Sequence, residues 1–487
     1  MPIGANVAEV KTAKFKKASS QAVSDPKLQN TLEHVMGHFI EARAGAIEEF
    51  GDESWDQMRE RASSIKKHAL ENLDYYLDLI DRTIQKNGGH VHFAKDTQEA
   101  NRIVLDIAKK AEAKRVIKSK SMVSEEMGLN KALEKAGIEP VETDLGEYII
   151  QLADEPPFHI IAPAMHKTKQ EVSELFQDWL RTAPTQDIKQ LCIIARDALR
   201  EKFSTADIGV SGANFVVAET GTVVLVTNEG NGRMTTSTPK IHIAVSGIEK
   251  VLPAIEDVGL FLRLLPRSAT GQRITSYNTF VSGPKFSTDE DGPEEFHLIM
   301  VDNGRLNLMR DPEFREALKC IRCGACLNTC PIYRKVGGHS YGWVYPGPIG
   351  AVITPVLTNI KQSKDLPYAS TLCGACRDVC PVKIDIPKLL LKLRHMAVEG
   401  DSSQRSVSWI ERLMIGQWRK TVSTRSSIER ATNLARFLQV VVTKKGIIRN
   451  LPLPLISGWT KSRDFPALAP KSFAQLWQEK FSEETDG

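Results

Sequence analysis

Seven of the eight cysteines in this 487-residue chain fall in two short runs: Cys320, Cys323, Cys326 and Cys330, then Cys373, Cys376 and Cys380. The first run reads C-x2-C-x2-C-x3-C-P and ends at Pro331, the spacing that wraps a cubane iron–sulfur cluster. Three thiolates spaced by two residues lie on one tight turn and meet three corners of one cube. The fourth points away and serves a neighbouring cluster. The second run, C-x2-C-x3-C-P ending at Pro381, supplies that neighbour. By this crossover, Cys320, Cys323, Cys326 and Cys380 bind one cluster, while Cys330, Cys373 and Cys376 bind the other and lack a fourth cysteine. Structural zinc sites also use C-x2-C pairs, but they take four ligands per metal and have no use for a run of four closed by proline. A disulfide framework does not suit a chain of this length without a secretory leader. The expected cofactors are two 4Fe-4S clusters, and the expected chemistry is electron transfer.

In register with the first run, the missing cysteine falls at Ser370. A serine oxygen is a harder and weaker ligand for iron than thiolate. Three outcomes stay open: a cubane with three cysteines and another ligand, a three-iron cluster, or an iron open to a small molecule.

The elements that must hold these runs are those of an ordinary globular protein, with 41% hydrophobic and 25% charged residues. A formal charge of +4 is too small to imply nucleic acid. The opening Met1-Pro2-Ile3-Gly4 starts no charged-then-apolar leader, which predicts a cytoplasmic protein. An uncharged stretch over residues 336–360 is long enough to cross a bilayer, but Pro346, Pro348 and Pro355 break it, and it reads as a structured loop with no transmembrane segment. Cys192 sits in Leu191-Cys192-Ile193-Ile194-Ala195, at a helical apolar spacing that predicts a buried free thiol.

Residues 1–85 are helical in pattern, with Phe39, Ile40, Ala44, Ile47 and Phe50, then Leu73, Tyr76, Leu77 and Ile80, repeating at three and four. His34 and His38 share a helix face there and read as surface residues. From His90 the texture becomes strand, helix, strand. Val91-His92-Phe93, Arg115-Val116-Ile117-Lys118, Pro140-Val141-Glu142-Thr143 and His159-Ile160-Ile161-Ala162 read as strands. Asp96 caps the helix that carries Ile103, Val104 and Ile107, and a further helix runs through Leu129 and Leu133. Such alternation predicts a parallel α/β sheet. Asn214 to Ala218 and Thr222 to Val226 flank a Glu219-Thr220-Gly221 turn as a hairpin. Polar loops past strand ends are where open sheets bind ligands, so Glu219, Asn228, Glu229, Arg233 and Lys240 form a candidate small-molecule or docking set. The competing reading is turn residues chosen for backbone geometry.

Other signals are weak. Gly230-x-Gly232-x-x-Thr235 lacks the third glycine of a dinucleotide fingerprint, no G-x-S-x-G occurs, and His90, His92, His159, His166 and His242 make no pair at metalloprotease spacing. Past Cys380, a helix with Leu389, Leu390, Leu391 and Leu393 leads to a linker at Asp401-Ser402-Ser403. Trp409, Ile410, Leu413, Met414 and Trp418 then line one helical stripe among Arg412, Arg419, Lys420, Arg425 and Arg430. Such a stripe packs on its own protein, or makes peripheral contact with a membrane surface or a partner helix. A proline-broken tail follows, from Leu451-Pro452-Leu453-Pro454 to Arg463-Asp464-Phe465-Pro466.

Val116 to Glu126, Glu142 to Ile149 and Ala218-Glu219-Thr220-Gly221-Thr222 resemble the lactate-utilization (LUD) domain. Joined to a ferredoxin-type two-cluster segment and a Trp-Thr-Lys-Ser-Arg-Asp-Phe-Pro tail, they resemble the lactate-utilization proteins in their iron–sulfur, B-type form, over nearly the whole chain. The resemblance implies an α/β LUD fold like that of sugar-phosphate isomerases and CoA transferases (the NagB/RpiA/CoA-transferase-like class), followed by a mainly α-helical ferredoxin-type domain. The parts fall at 1–85, 86–305, 306–398 and 399–487, the last a helical and extended C-terminal segment. It implies a role in oxidising L-lactate to pyruvate with two companion lactate-utilization proteins, and four cysteines on one cluster with three on the other. Catalytic residues and the electron acceptor are unidentified. With no flavin or nicotinamide fingerprint, the chain reads as an electron-transfer subunit. The alternatives are a self-contained transferase or isomerase, with Glu219 or Glu147 as carboxylate nucleophile, and a redox-sensitive assembly scaffold.

Overall fold

The computed structural model describes residues 9–449 and 463–481. They form two units, one ending at Ser406 and one beginning at Val407. The first unit is built on a six-stranded parallel sheet of β1 (His90–Ala94), β2 (Arg115–Lys118), β3 (Glu139–Glu142), β4 (Ile208–Ser211), β7 (Ile241–Gly247) and β10 (Glu295–Val301), in the order β1-β10-β7-β4-β2-β3. The central strands β4, β7 and β10 are buried almost throughout because both faces are covered, whereas the edge strand β1 stays partly exposed. In β10, Ile299 and Val301 pack with Ala100, Val104 and Ala108 of the helix Thr97–Lys110, while Phe296, Leu298 and Met300 face Leu73, Tyr76, Ile80 and Ile84 of the helix Leu73–Lys86. The Asp96 cap forms as expected, its Oδ1 accepting from Glu99 N at 2.8 Å, with Glu99 Oε2 accepting in turn from Lys95 N at 3.0 Å.

The predicted hairpin is β5 (Phe215–Val217) with β6 (Thr222–Thr227). It belongs to a second, four-stranded sheet with β8 (Val251–Leu252) and β9 (Tyr277–Val281), ordered β8-β5-β6-β9. In the parallel sheet, the chain steps from β2 outward to β3, then returns to β4 and proceeds the other way through β7. The neighbours β2 and β4 therefore flank the point where strand order reverses, the position where open α/β sheets take ligands.

The N-terminal region is helical, with the helices Pro26–Glu48 and Asp52–Glu71 packed on the second cysteine run. Arg43 donates to Val379 O at 3.1 Å, and Arg59 donates to Cys380 O at 2.9 Å and to Asp378 O at 2.8 Å. His34 and His38 are exposed on the first of these helices.

Three sequence expectations fail. Residues 159–162 are not a strand: His159 is fully buried, bonds Asn328 Oδ1 at 3.1 Å through Nε2 and accepts from Ile161 N at 3.1 Å through Nδ1, which curls the backbone around its ring. The uncharged stretch is not a loop throughout, because it contains the buried helix Gly347–Leu357, with Pro348 in the first turn, where no N–H is needed, and Pro355 in the last. Cys192 is exposed, since Leu191, Ala195, Leu199 and Phe203 take the buried face of the helix Ile188–Ser204 and Cys192 falls beside it.

The second unit holds the helices Trp409–Val422 and Arg425–Gln439 and a three-stranded sheet of β11 (Thr443–Lys444), β12 (Ile447–Ile448) and β13 (Phe465–Pro466). Trp409, Ile410, Leu413, Met414 and Trp418 are exposed. The proline-rich part of the tail, at 451–462, lies outside the described residues. Among the described residues no helix is long and apolar enough to cross a membrane.

Candidate iron–sulfur segment and the adjoining cleft

The two cysteine runs share the tetrapeptide Cys-Gly-Ala-Cys, at 323–326 and 373–376, and fold alike. The residue before each is left-handed, Arg322 at φ 60° and Leu372 at φ 55°, and so is each glycine, Gly324 at φ 76° and Gly374 at φ 89°. A short helix follows, Ala325–Thr329 in one and Ala375–Asp378 in the other. Gly324 is required twice over: for its φ, and because a Cβ there would stand 2.6 Å from Ile161 Cδ1.

Cys320, Cys323, Cys326 and Cys380 line one small pocket together with Ile160, Ile349 and Ile384. Backbone amides point at the sulfurs: Arg322 N lies 3.4 Å from Cys320 Sγ, and Ile384 N lies 3.4 Å from Cys380 Sγ. Burial pushes the Cys380 thiol up to about 11 and raises Cys323 and Cys326 as well. Cys330, Cys373 and Cys376 form the other group. Burial first, and then the nearby Cys330 and Cys373, push Cys376 up to about 12. Cys330 is buried, with Tyr333 N 3.5 Å from its Sγ, whereas Cys373 reaches the surface. There the Ala375 N–H and the Thr371 hydroxyl lower its thiol. No disulfide joins the seven cysteines, which gather in two sets with backbone amides aimed at Cys320, Cys330 and Cys380. This donor set fits a soft metal site, whose binding expels the protons that burial holds on the thiols.

A cleft of about 320 Å³ opens beside the first set. Its floor is the strand-order reversal: Ser119, Lys120 and Ser121 follow β2, and Gly212, Ala213 and Asn214 follow β4. Glu249 and Lys250, just past β7, form a second wall, and Arg322, Cys323 and Tyr345 of the cysteine segment form a third. Cys323 thus borders both the cleft and the cysteine cavity.

The wall shared with the cysteines is a buried charge network. Arg305 donates to Glu126 at 2.9 and 2.8 Å and to Glu249 at 2.7 Å, and Tyr345 Oη donates to Glu126 at 2.6 Å. Arg322 lies over the Tyr345 ring, 4.7 Å from its centre, and 3.5 Å from Glu249 Oε1. Burial lowers Lys66 to about 7 and Lys250 to about 8. Lys66 Nζ donates to Val251 O at 3.1 Å, and Lys250 Nζ reaches Cys320 O at 3.4 Å. The segment that resembles the LUD domain supplies a second such cluster, in which buried Lys118 bonds Asn130 Oδ1 at 2.6 Å and Glu125 at 3.3 Å.

The five polar residues singled out in the loops are not brought together. Asn228 and Glu229 lie at the cleft, where burial and then Asp144 push the Glu229 carboxyl up to about 6. Arg233 is exposed over the Tyr277 ring at 5.5 Å, Lys240 is exposed, and Glu219 Oε2 accepts from Ile255 N at 3.0 Å at the start of the helix Ile255–Thr270. Glu147 is buried outside the cleft lining. Sequence reasoning missed Glu249, Lys250 and Arg322, whose signal was position alone: just past a strand end, or within a cysteine run. It also missed the approach of Glu155, His166 and His339, whose ligand atoms lie within 4.8 Å of one another. His166 Nε2 already bonds Glu155 Oε2 at 2.6 Å, and Lys167 holds the other oxygen.

A parallel α/β domain with a strand-end cleft, closed on one side by a doubled cysteine turn, defines a LUD-domain protein carrying an iron–sulfur dicluster segment. The LUD domain family matches residues 77–301, the 4Fe-4S dicluster domain residues 316–384, and the family "Lactate utilisation protein B, C-terminal" residues 392–482. Proteins called lactate utilization protein B are similar along their length: that of Oceanobacillus iheyensis is 43% identical over 96% of this chain and 96% of its own, and that of Bacillus subtilis 43% over 98% of each. The one from Geobacillus kaustophilus is 45% identical over 90% of each chain. This chain belongs to the lactate utilization protein B family. A solved DUF162 family protein from Deinococcus radiodurans aligns with 47% of this chain at 14% identity and a TM-score of 0.28.

Proposed function

We propose that this chain is the iron–sulfur electron-transfer subunit of a multi-protein system that oxidises L-lactate to pyruvate, working with two companion lactate-utilization proteins and a separate electron acceptor. In this reading Cys320, Cys323, Cys326 and Cys380 hold one 4Fe-4S cluster, and Cys330, Cys373 and Cys376 hold a second, with Ser370 at its fourth position. When bound, such clusters accept and pass single electrons. The observation that carries the reading is the gradient between the two cysteine sets. The first has three buried cysteines and a half-buried Cys320 and shares Cys323 with the cleft, whereas the second runs out to the exposed Cys373. An electron entering near the cleft would leave at the surface, where a partner docks.

The protein's own residues tune and insulate that path. Arg322 and Lys250 place cationic groups beside Cys320 of the first set, where added negative charge is stabilised, and Ile160, Ile349 and Ile384 line its pocket with apolar surface. The exposed residues Arg233, on the helix Asn231–Ser237, and Lys240, with Glu219, belong in this reading to docking rather than to the cleft. The strand-end cleft is also in keeping with a fold related to sugar-phosphate isomerases and CoA transferases.

Dye reduction tests the function. Iron-loaded protein alone should not reduce a dye with L-lactate, addition of the two companions should start the reaction, and Cys323→Ala should stop it. Full dye reduction by the chain alone would replace the carrier reading with a complete enzyme.

A further inference from the structure

We propose that the cleft beside Cys323 is a binding site for a short 2-hydroxy carboxylate, held by its carboxylate on Arg322 and Lys250 and by its hydroxyl on Glu249. Three buried polar atoms that line this cleft have no hydrogen-bond partner among the described residues: Ser119 Oγ, Glu249 Oε1 and Arg322 Nη1. Lys250 is also buried, and the one bond found for its ammonium is the long contact to Cys320 O at 3.4 Å. Unpaired buried polar groups are costly, and when several converge on one cavity a ligand is the economical way to satisfy them.

Their chemistry specifies the ligand. Arg322 and Lys250 offer cationic donors, which a carboxylate accepts in charge-assisted bonds. Glu249 Oε1 is an anionic acceptor at the same wall and needs a donor. Its 3.5 Å ion pair with Arg322 gives it charge but no hydrogen bond. A plain carboxylic acid anion brings no donor for it, and a cation is repelled by Arg322 and Lys250. A molecule with both a carboxylate and a neighbouring hydroxyl satisfies all of them, with Ser119 Oγ free to bond either oxygen. The site sits at the strand-order reversal between β2 and β4, where open α/β sheets take ligands. Cys323 forms part of its wall, which puts a bound acid next to the first cysteine set. At about 320 Å³ the cleft exceeds the needs of a three-carbon acid, so longer 2-hydroxy acids fit as well. The choice of 2-hydroxy acids rests on the lactate-utilization reading; the orphaned groups do not.

Calorimetric titration of the anaerobically purified, iron-loaded full chain tests the site, with L-lactate, 2-hydroxyhexanoate, propionate and lactamide as probes. One 2-hydroxy acid should bind saturably, one per chain. Propionate lacks the hydroxyl and lactamide the charge, and each should bind at least about tenfold more weakly than its match. Lys250→Met should weaken the hydroxy acid by about tenfold or more, and Ser119→Ala, which removes one hydroxyl far from any cysteine in sequence, by a few-fold at unchanged iron content. If neither hydroxy acid binds saturably, or if propionate binds as well as L-lactate, the proposal is wrong. If both variants bind like the parent protein, the cations serve only to balance the thiolates, and the proposal is equally wrong. The carrier reading fails separately: acid binding with no electron transfer in the presence of the companions would remove that reading and leave this site standing.

Discussion

Ser370 occupies in the second cysteine run the place that Cys320 occupies in the first. Arg322 N reaches back to Cys320 Sγ at 3.4 Å, and Leu372 N reaches back to Ser370 Oγ at 3.1 Å, with the donor left-handed in both turns. The serine oxygen therefore makes with its own turn the contact that the Cys320 sulfur makes in the first run. Oxygen is the weaker ligand for iron, so the second site should lose metal first. Brief air exposure should give a three-iron EPR signal in the parent protein, and Ser370→Cys should abolish it. An unchanged signal in Ser370→Cys would show that the residue does not face the labile iron.

Cys373 is the exposed member of its set, and the Ala375 amide and Thr371 hydroxyl hold its thiol below the usual range. In metal-free protein it should alkylate with iodoacetamide ahead of the six other run cysteines, which are more enclosed. Iron loading should protect Cys373 and leave the exposed Cys192 reactive, as peptide mass mapping would read out. Equal labelling of Cys373 with and without iron would remove it from the ligand set.

Glu147 is buried, and one of its carboxylate oxygens has no partner among the described residues. Burial, and then the neighbouring Glu125 and Glu142, hold its carboxyl well above the usual range. A carboxyl raised in the folded state contributes its full stability below the unfolded value and loses it as pH rises through the folded one. Glu147→Gln should therefore stabilise the protein at pH 8 by about 1–3 kcal/mol and by much less near pH 5. Thermal unfolding at the two pH values checks this, and a variant equally destabilised at both would mean that the carboxylate is needed in its charged form.

Arg233 lies outside the cleft, stacked over Tyr277 on the surface. If Arg233 serves docking, as proposed, Arg233→Ala should lower lactate-dependent dye reduction in the reconstituted system while leaving iron content, cluster EPR and hydroxy-acid binding unchanged. Unaltered turnover would reduce Arg233 to a solvated position on the helix Asn231–Ser237.

Much of this was legible in the sequence, because cysteine spacing and strand periodicity are local. The runs of Cys320 and Cys373, the parallel strands and the β5–β6 hairpin each depend on a few adjacent residues. What was not legible depends on distant residues meeting. Glu249 and Arg322 are 3.5 Å apart in space but lie on different elements, and neither belongs to a motif. His159 read as a strand residue because its neighbours are apolar; only its bond to Asn328, far along the chain, explains the irregular backbone. Cys192 followed the apolar pattern of its helix but fell just off the buried face. The stretch expected to be a loop folds from Asn231 to Ser237 as a helix that leaves Arg233 exposed, so only Asn228 and Glu229 of the five polar residues reach the cleft at the β2–β4 reversal.

The central claim is that electrons from L-lactate enter this chain's clusters only through its partners. Low-temperature EPR of the anaerobic iron-loaded protein, frozen after L-lactate is added with and without the two companion proteins, measures that directly. The account predicts roughly six to eight irons per chain, no reduced-cluster signal with lactate alone, and such a signal once both companions are present. Stoichiometric zinc in place of iron, or clusters that stay oxidised with both companions and lactate present, would contradict it.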